Sequence, residues 1–297
     1  MTTPEGQGRA VAVEWPEARA ANLANWEERV PHHLEAYGLA AFDDPAHLSQ
    51  VVRTDLEALA RYLPGGVAGR TVCHLQCHIG TDTVSLARAG AARVAGLDFS
   101  PAALRAAAAF ADRLGVDAAW VEGDVLEARA AMDDALGAET RFDVVYTSIG
   151  AISWLPDLDR WAAQVAALLE PGGLLYLRDA HPALLALDEG ADELVARYPY
   201  FGDGRALQWE ETATYVGDGV LAHSRTYDWP HPVSEQVNAL IGAGLEILGL
   251  EEGATLPWRF SERMLVRPDG DFEWPGDDAA RVPCTLTVVA RRPGGAA

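Results

Sequence analysis

The residues best equipped for chemistry crowd into one stretch, Cys73-His74-Leu75-Gln76-Cys77-His78-Ile79-Gly80. It leaves a run of strand-forming residues and enters a helix-forming one. Two thiols and two imidazoles so close together invite a metal. The Cys73–Cys77 spacing is one residue too long for the Cys-x-x-Cys-His of a haem attachment. The two thiols also fall on opposite sides of a strand end, poor geometry for a tetrahedral ion. No metal is expected here. The stretch reads instead as a strand-to-helix turn, the place where open α/β sheets bind ligands.

Two acids support a ligand crevice. Asp98 closes a second strand 18 residues beyond Gly80, and Asp124 follows Gly123 at the end of a third. A carboxylate at the second strand end is placed to accept hydrogen bonds from a ribose diol. A dinucleotide would also press a pyrophosphate against bare backbone at the helix N-terminus, which needs several glycines. Gln76 and His78 stand where two of those glycines would lie, and only Gly80 remains. A nicotinamide cofactor is therefore disfavoured relative to a phosphate-free adenosyl group.

Further candidates follow the later strands. His181, in Arg178-Asp179-Ala180-His181-Pro182, is the preferred general base, since imidazole titrates near neutrality. Its alternative role is to order the turn before Pro182. Ser148 and Trp154 bracket another strand-end loop. Asn22, Trp26, Arg29, His33 and Tyr37 recur at spacings of four, three, four and four, one face of a helix. That face would form a lid or simply pack. His231 lies between Pro230 and Pro232. Tyr198, Tyr200, Phe201, Trp209, Tyr215 and Trp229 would wall an apolar acceptor pocket; a self-contained core or a homodimer contact would use them equally well.

The elements that must position these residues alternate. Residues 10–62 read as helical, with Pro31 kinking or breaking the first helix and a second helix over 46–62. Strands are expected at 71–75, 92–97, 118–121, 142–147, 174–177, 245–250 and 284–290. Helices are expected at 81–89, 100–114, 157–169 and 233–243. This alternation predicts an α/β fold: a Rossmann-like, doubly wound, mainly parallel sheet. Strand-like segments at 207–215 and 220–229 flank Gly217-Asp218-Gly219, predicting a hairpin. The division reads as an N-terminal helical cap (1–66), an α/β core (67–182), an inserted substrate cap (183–229) and the completion of the core (230–297).

Composition narrows the partners. The 297 residues include 49% hydrophobic and 23% charged, with disorder expected only at 1–7 and 292–297. The net charge is −21 and every basic residue is Arg, so a polyanionic nucleic acid is disfavoured. No apolar run approaches the roughly 20 residues of a membrane span, and the N-terminus shows no secretory leader. A cytoplasmic protein with reduced thiols and no membrane partner is expected.

The runs Leu75-Gln76-Cys77-His78-Ile79-Gly80-Thr81-Asp82-Thr83, Gly96-Leu97-Asp98-Phe99-Ser100 and Gly123-Asp124-Val125 resemble the class I S-adenosylmethionine-dependent methyltransferases. The likeness is greatest to a bacterial branch whose first motif carries Leu-Gln-Cys-His. It covers residues 69–180 well and 227–250 more loosely. It implies a seven-stranded sheet with an antiparallel final strand. It also implies cofactor contacts from Gln76, Cys77, His78 and Gly80, from Asp98 and Phe99, from Asp124 and Val125, and from Ser148. The chain departs from the common pattern of an acid two residues before Gly-x-Gly-x-Gly, with His74 at the acid's place. The expected reaction is methylation of a small-molecule acceptor, at oxygen or nitrogen by slight preference, with His33, Tyr37, Trp154 and His231 at the acceptor. A protein or RNA methyltransferase and a non-catalytic S-adenosylmethionine-binding protein are the alternatives.

Overall fold

The computed structural model describes residues 8–213 and 220–294. A short strand β1 (Arg9–Val11) precedes the long helix α1 (Trp15–Ala36) and then α2 (Gln50–Leu59). The alternating region follows: β2 (Thr71–Leu75), α3 (Thr81–Arg88), β3 (Arg93–Asp98), α4 (Pro101–Leu114), β4 (Ala119–Glu122), α5 (Ala128–Leu136), β5 (Phe142–Ser148), α6 (Leu158–Leu168) and β6 (Leu169–Ala180). A single turn, α7 (Pro182–Leu185), leads to β7 (Ala206–Glu210) and β8 (Arg225–Asp228). Then come α8 (Val233–Gly242), β9 (Glu246–Gly253), three two-residue strands β10 (Thr255–Leu256), β11 (Leu265–Val266) and β12 (Phe272–Glu273), and finally β13 (Thr285–Arg291).

The central sheet has seven strands in the order β4-β3-β2-β5-β6-β13-β9. β13 runs antiparallel to both β6 and β9, and the remaining pairings are parallel. Successive strand residues face opposite sides. Val72, Val94, Val144 and Tyr146 join the core on one face, and Cys73, Ala95, Leu97 and Val145 the core on the other. Both faces are covered, which is why these strands read as near-continuous apolar runs. Helix starts follow local chemistry. Ser100 accepts the Ala103 N–H at 3.1 Å ahead of Pro101, and Asp157 accepts the Arg160 N–H at 2.9 Å.

Three expectations need correction: the helical reading of residues 10–11, a break at Pro31, and the length of the second helix. Arg9–Val11 is strand rather than helix, because it pairs antiparallel with β7 in a three-stranded sheet β1-β7-β8. α1 passes through Pro31 as one helix. Its missing hydrogen bond is offset by tertiary anchors, among them Asn22, whose amide pairs both ways with Tyr227 backbone at 2.8 Å. The second helix is Gln50–Leu59, shorter than the 46–62 expected. Residues 254–284 form a small sheet β10-β12-β11 over Leu256, Met264 and Trp274. The β7/β8 pairing is the expected hairpin arrangement, while Tyr215 and the turn Gly217-Asp218-Gly219 lie outside the described residues.

Candidate functional site

Strand order reverses between β2 and β5, and a cavity of about 900 Å³ opens at the carboxyl ends of the strands there. Gln76, Cys77, His78, Asp98, Phe99, Asp124, Val125 and Ser148 all line it. These are the residues expected from four separate strand ends. Gly80 does not line it but shapes its floor.

The turn after β2 carries three left-handed residues, Gln76 (φ 57°), His78 (φ 49°) and Gly80 (φ 76°). Side chains are disfavoured there by about 1 kcal/mol each. Both non-glycine residues are tied down: Gln76 Nε2 donates to Ala151 O at 3.0 Å, and His78 Nε2 lies 2.7 Å from His33 Nδ1. Gly80 has no alternative, since a Cβ would meet the Trp120 ring at 2.5 Å and the Ala107 methyl at 2.9 Å. Cys77 is packing rather than chemistry. Its sulfur sits 2.7 Å from where a Cβ on Gly96 would stand, and burial pushes its thiol well above the usual range.

Asp98 holds this turn in place. One carboxylate oxygen accepts the His78 N–H at 2.8 Å and the other the Ser100 N–H at 2.9 Å. Burial raises its pKa to about 6 against the pull of those bonds. A carboxylate has about four lone-pair sites, so acceptor capacity remains for a ligand. Asp124 accepts from the Trp15 indole at 2.8 Å and forms an ion pair with the Arg19 guanidinium at 3.1 Å, which fastens the start of α1 across the third strand end.

α1 therefore does form a wall, as its polar stripe suggested. Trp26 and Tyr37 line the first cavity, with Trp26 edge-on to Trp154 at 5.4 Å and to His78 at 5.3 Å. His33 lies behind His78, stacked on Tyr37 at 5.0 Å, and lines neither of the two cavities described here. Burial holds His78 at about 4 and His33 at about 3, so the pair is neutral near pH 7. The loop after β5 is set by Asp179, whose carboxylate accepts the N–H groups of Gly150, Ala151, Ile152 and Ala180 at 2.6–2.9 Å.

A second cavity of about 610 Å³ adjoins the first, sharing Trp26, Trp154, Glu189 and Asp228 as walls. Pairing of Leu207 with Asp228 and of Trp209 with Thr226 places all four side chains on the cavity face of the β7/β8 ribbon. Tyr198 and Trp229 from the aromatic insert also line it, whereas Phe201 is 74% exposed. His231 lines it too, with Nε2 donating to Leu155 O at 2.6 Å.

His181 lines neither cavity. Its Nδ1 accepts the Ala183 N–H at 3.0 Å as the N-cap of α7, and its Nε2 lies 2.9 Å from Glu252. Nδ1 thus orders the turn, and Nε2 faces a carboxylate of β9. The base expected from its sequence position does not face either cavity. Sequence reasoning also missed Glu189, Glu211 and Asp228, three carboxyls in an aromatic cavity, and Trp258 and Phe260 from the 254–284 segment. Burial raises Glu189 and Asp228 to about 7 and raises Glu211. A signal existed: Asp228 sits between Tyr227 and Trp229, and Glu211 closely follows Trp209.

Cys73, His74, Cys77 and His78 do not converge. The His74 ring bonds Thr83 at 2.9 Å, and among the described residues no three His, Cys, Asp or Glu are grouped to hold a metal. No helix among them is long and apolar enough to cross a membrane.

Residues 73–175, from β2 into β6, match the family described as Methyltransferase domain. The fold resembles that of an S-adenosylmethionine-dependent methyltransferase from Mesorhizobium loti: TM-score 0.53, 23% identity, 80% of this chain and 96% of that one covered. It also resembles one from Clostridium acetobutylicum: TM-score 0.54, 12% identity, 84% and 93% covered. A glycopeptide N-methyltransferase complexed with S-adenosylmethionine aligns at TM-score 0.50 and 19% identity, covering 82% and 94%. No curated protein matches the chain. Residues 73–175 thus carry a methyltransferase domain, and the solved structures share the fold around it.

Proposed function

We propose that the chain holds S-adenosylmethionine in the first cavity and methylates a small organic acceptor held in the second, at oxygen or nitrogen. The observation that carries the reading is the junction: two cavities share Trp26 and Trp154 as walls, one at the strand ends and one lined by the aromatic ribbon. The first cavity suits the cofactor. Asp98 has spare acceptor sites for a ribose diol, Phe99 and Val125 offer apolar surface to an adenine, and Gln76 Oε1 is a buried acceptor with no partner among the described residues. That oxygen suits the ammonium of the methionine end.

When bound, S-adenosylmethionine supplies an electrophilic sulfonium methyl. The chain's own work is positioning and water exclusion. Asp98 and Asp179 fix the two loops that flank the junction, Asp124 fastens the start of α1, and the Trp26 and Trp154 rings wall both cavities. We place residues 1–66 as cap, 67–182 and 230–297 as core and 183–229 as acceptor cap, and the first motif with the Leu-Gln-Cys-His branch. A cytoplasmic enzyme without a nucleic-acid partner agrees with the charge of −21. The volume of the second cavity, about 610 Å³, suits a metabolite.

Calorimetry with S-adenosylhomocysteine tests this. Micromolar affinity is expected, weakened at least ~10-fold by Asp98→Asn through loss of charge-assisted hydrogen bonds. No binding at millimolar concentration would end the reading.

A further inference from the structure

The second cavity has an unusual lining for its burial. Glu189, Glu211 and Asp228 face a space otherwise walled by Trp209, Trp229, Trp258 and Phe260. Carboxyls are rarely left in apolar surroundings without a partner. Two acceptors lining this cavity lack one entirely among the described residues: Asp228 Oδ1, and Oε1 of Gln236, a residue only 4% exposed. Gln236 donates one amide N–H to His231 O at 2.9 Å, while its oxygen has no partner among the described residues.

Some of the local positive and donor groups are committed, whereas the Trp209 indole N–H has no hydrogen-bond partner among the described residues. Arg29 shares the lining, with Nε on Asn25 Oδ1 at 2.7 Å and its guanidinium 5.6 Å from the Trp26 ring. His231 donates to Leu155 O and has Nδ1 3.2 Å from Glu235. The Trp209 indole offsets part of the burial of Asp228. Other acids in the lining are already satisfied: Asp179 by four backbone N–H groups, Glu210 by Arg225 and Ser224. The cavity thus holds more acceptors than donors, and its walls are aromatic faces that attract cations.

We propose that the acceptor recognised here is an organic cation, a protonated amine on an apolar or aromatic body, held by Glu189, Glu211, Asp228 and Gln236. An occupant without donors would leave Asp228 Oδ1 and Gln236 Oε1 unpaired, and an anionic one would add repulsion to burial. An ammonium group supplies three donors and a positive charge in addition to that of Arg29, while its hydrocarbon body fills the space between the indoles. The word acceptor rests on the methyl-transfer reading; the recognition of a cation does not.

The test is ligand binding without turnover. Tryptamine and phenethylamine are titrated by calorimetry and tryptophan fluorescence against their alcohols, tryptophol and 2-phenylethanol, and against indole-3-propionate and 3-phenylpropanoate. The amines are expected to bind at least ~10-fold more tightly than the matched alcohols, and the carboxylates not at all. Glu189→Gln with Asp228→Asn should remove that preference, bringing the amines to the level of the alcohols. If the double variant loses its wild-type circular dichroism, Glu211→Gln and the wild-type series decide. Alcohols or carboxylates binding as well as amines, or no amine binding at millimolar concentration, overturns the proposal. S-adenosylhomocysteine is titrated on the same preparation. Its binding with amine indifference sinks only this inference, and amine preference without it sinks only the methyl-transfer reading.

Discussion

Replacing Asp55 with Asn should destabilise the protein more than any comparable exchange on its surface. Asp55 is 1% exposed on α2 and gathers four partners from the ends of β5 and β6. Tyr146 donates to it, as do Ser148 at 3.0 Å and Tyr176 at 2.9 Å, and Arg178 pairs with it as an ion. Asn keeps the shape and one acceptor oxygen but leaves the Arg178 charge buried without its counterion. Breaking one side of a buried pair costs about 3–5 kcal/mol. With an unfolding entropy of about 2.1 cal/mol/K per residue, that corresponds to a drop in Tm of roughly 5–8 °C for a chain of this size. Urea unfolding followed by circular dichroism reads the free energy directly. Adding Arg178→Met should recover most of the loss, because it removes the orphaned charge rather than restoring the carboxylate. A loss below ~1 kcal/mol, or no recovery in the double variant, would show that the ion pair does not carry the stability assigned to it. Ser148 lines the first cavity, so S-adenosylhomocysteine affinity should fall with the single variant and return with the double.

Three further outcomes are expected. Gly80→Ala forces a side chain into both a left-handed backbone and the Trp120 ring, so it should cost about 2–4 kcal/mol in urea unfolding and weaken S-adenosylhomocysteine in calorimetry. His181→Ala should cost about 1 kcal/mol through the lost cap, with turnover per folded molecule nearly unchanged; a large fall in turnover would restore His181 as a base. Burial depresses His78 from its ordinary 6.5 to about 4. Its neutral form therefore contributes stability that is whole above pH 6.5 and is lost as pH falls through about 4. The raised carboxyls Asp98 and Asp228 act in the opposite sense. The measurement is accordingly the difference between His78→Asn and the parent in urea titrations from pH 7 to about 4, where the variant should lose less.

Much of this protein is legible in its sequence because the signals are local. A parallel sheet buried on both faces needs continuous apolar strands, and helices start at Ser100-Pro101 and Asp157 for reasons contained within a turn. The strand-end positions of Asp98 and Asp124 follow from the same alternation, and so does the crevice. The structure then brings the expected cofactor-loop residues onto one cavity. Three things were settled only by packing. Pro31 stays helical because Asn22 and its neighbours anchor α1 to β8 over 200 positions away in sequence. His181 accepts a backbone N–H at Nδ1 and turns Nε2 toward a carboxylate, Glu252, from another strand. The facing of Glu189, Glu211 and Asp228 into one aromatic chamber depends on the register of the β7/β8 ribbon and on how that ribbon folds back over the sheet. Spacing along a chain fixes which side of a strand a residue occupies, whereas what that side meets is decided by distant segments, and burial there sets the protonation of each acid.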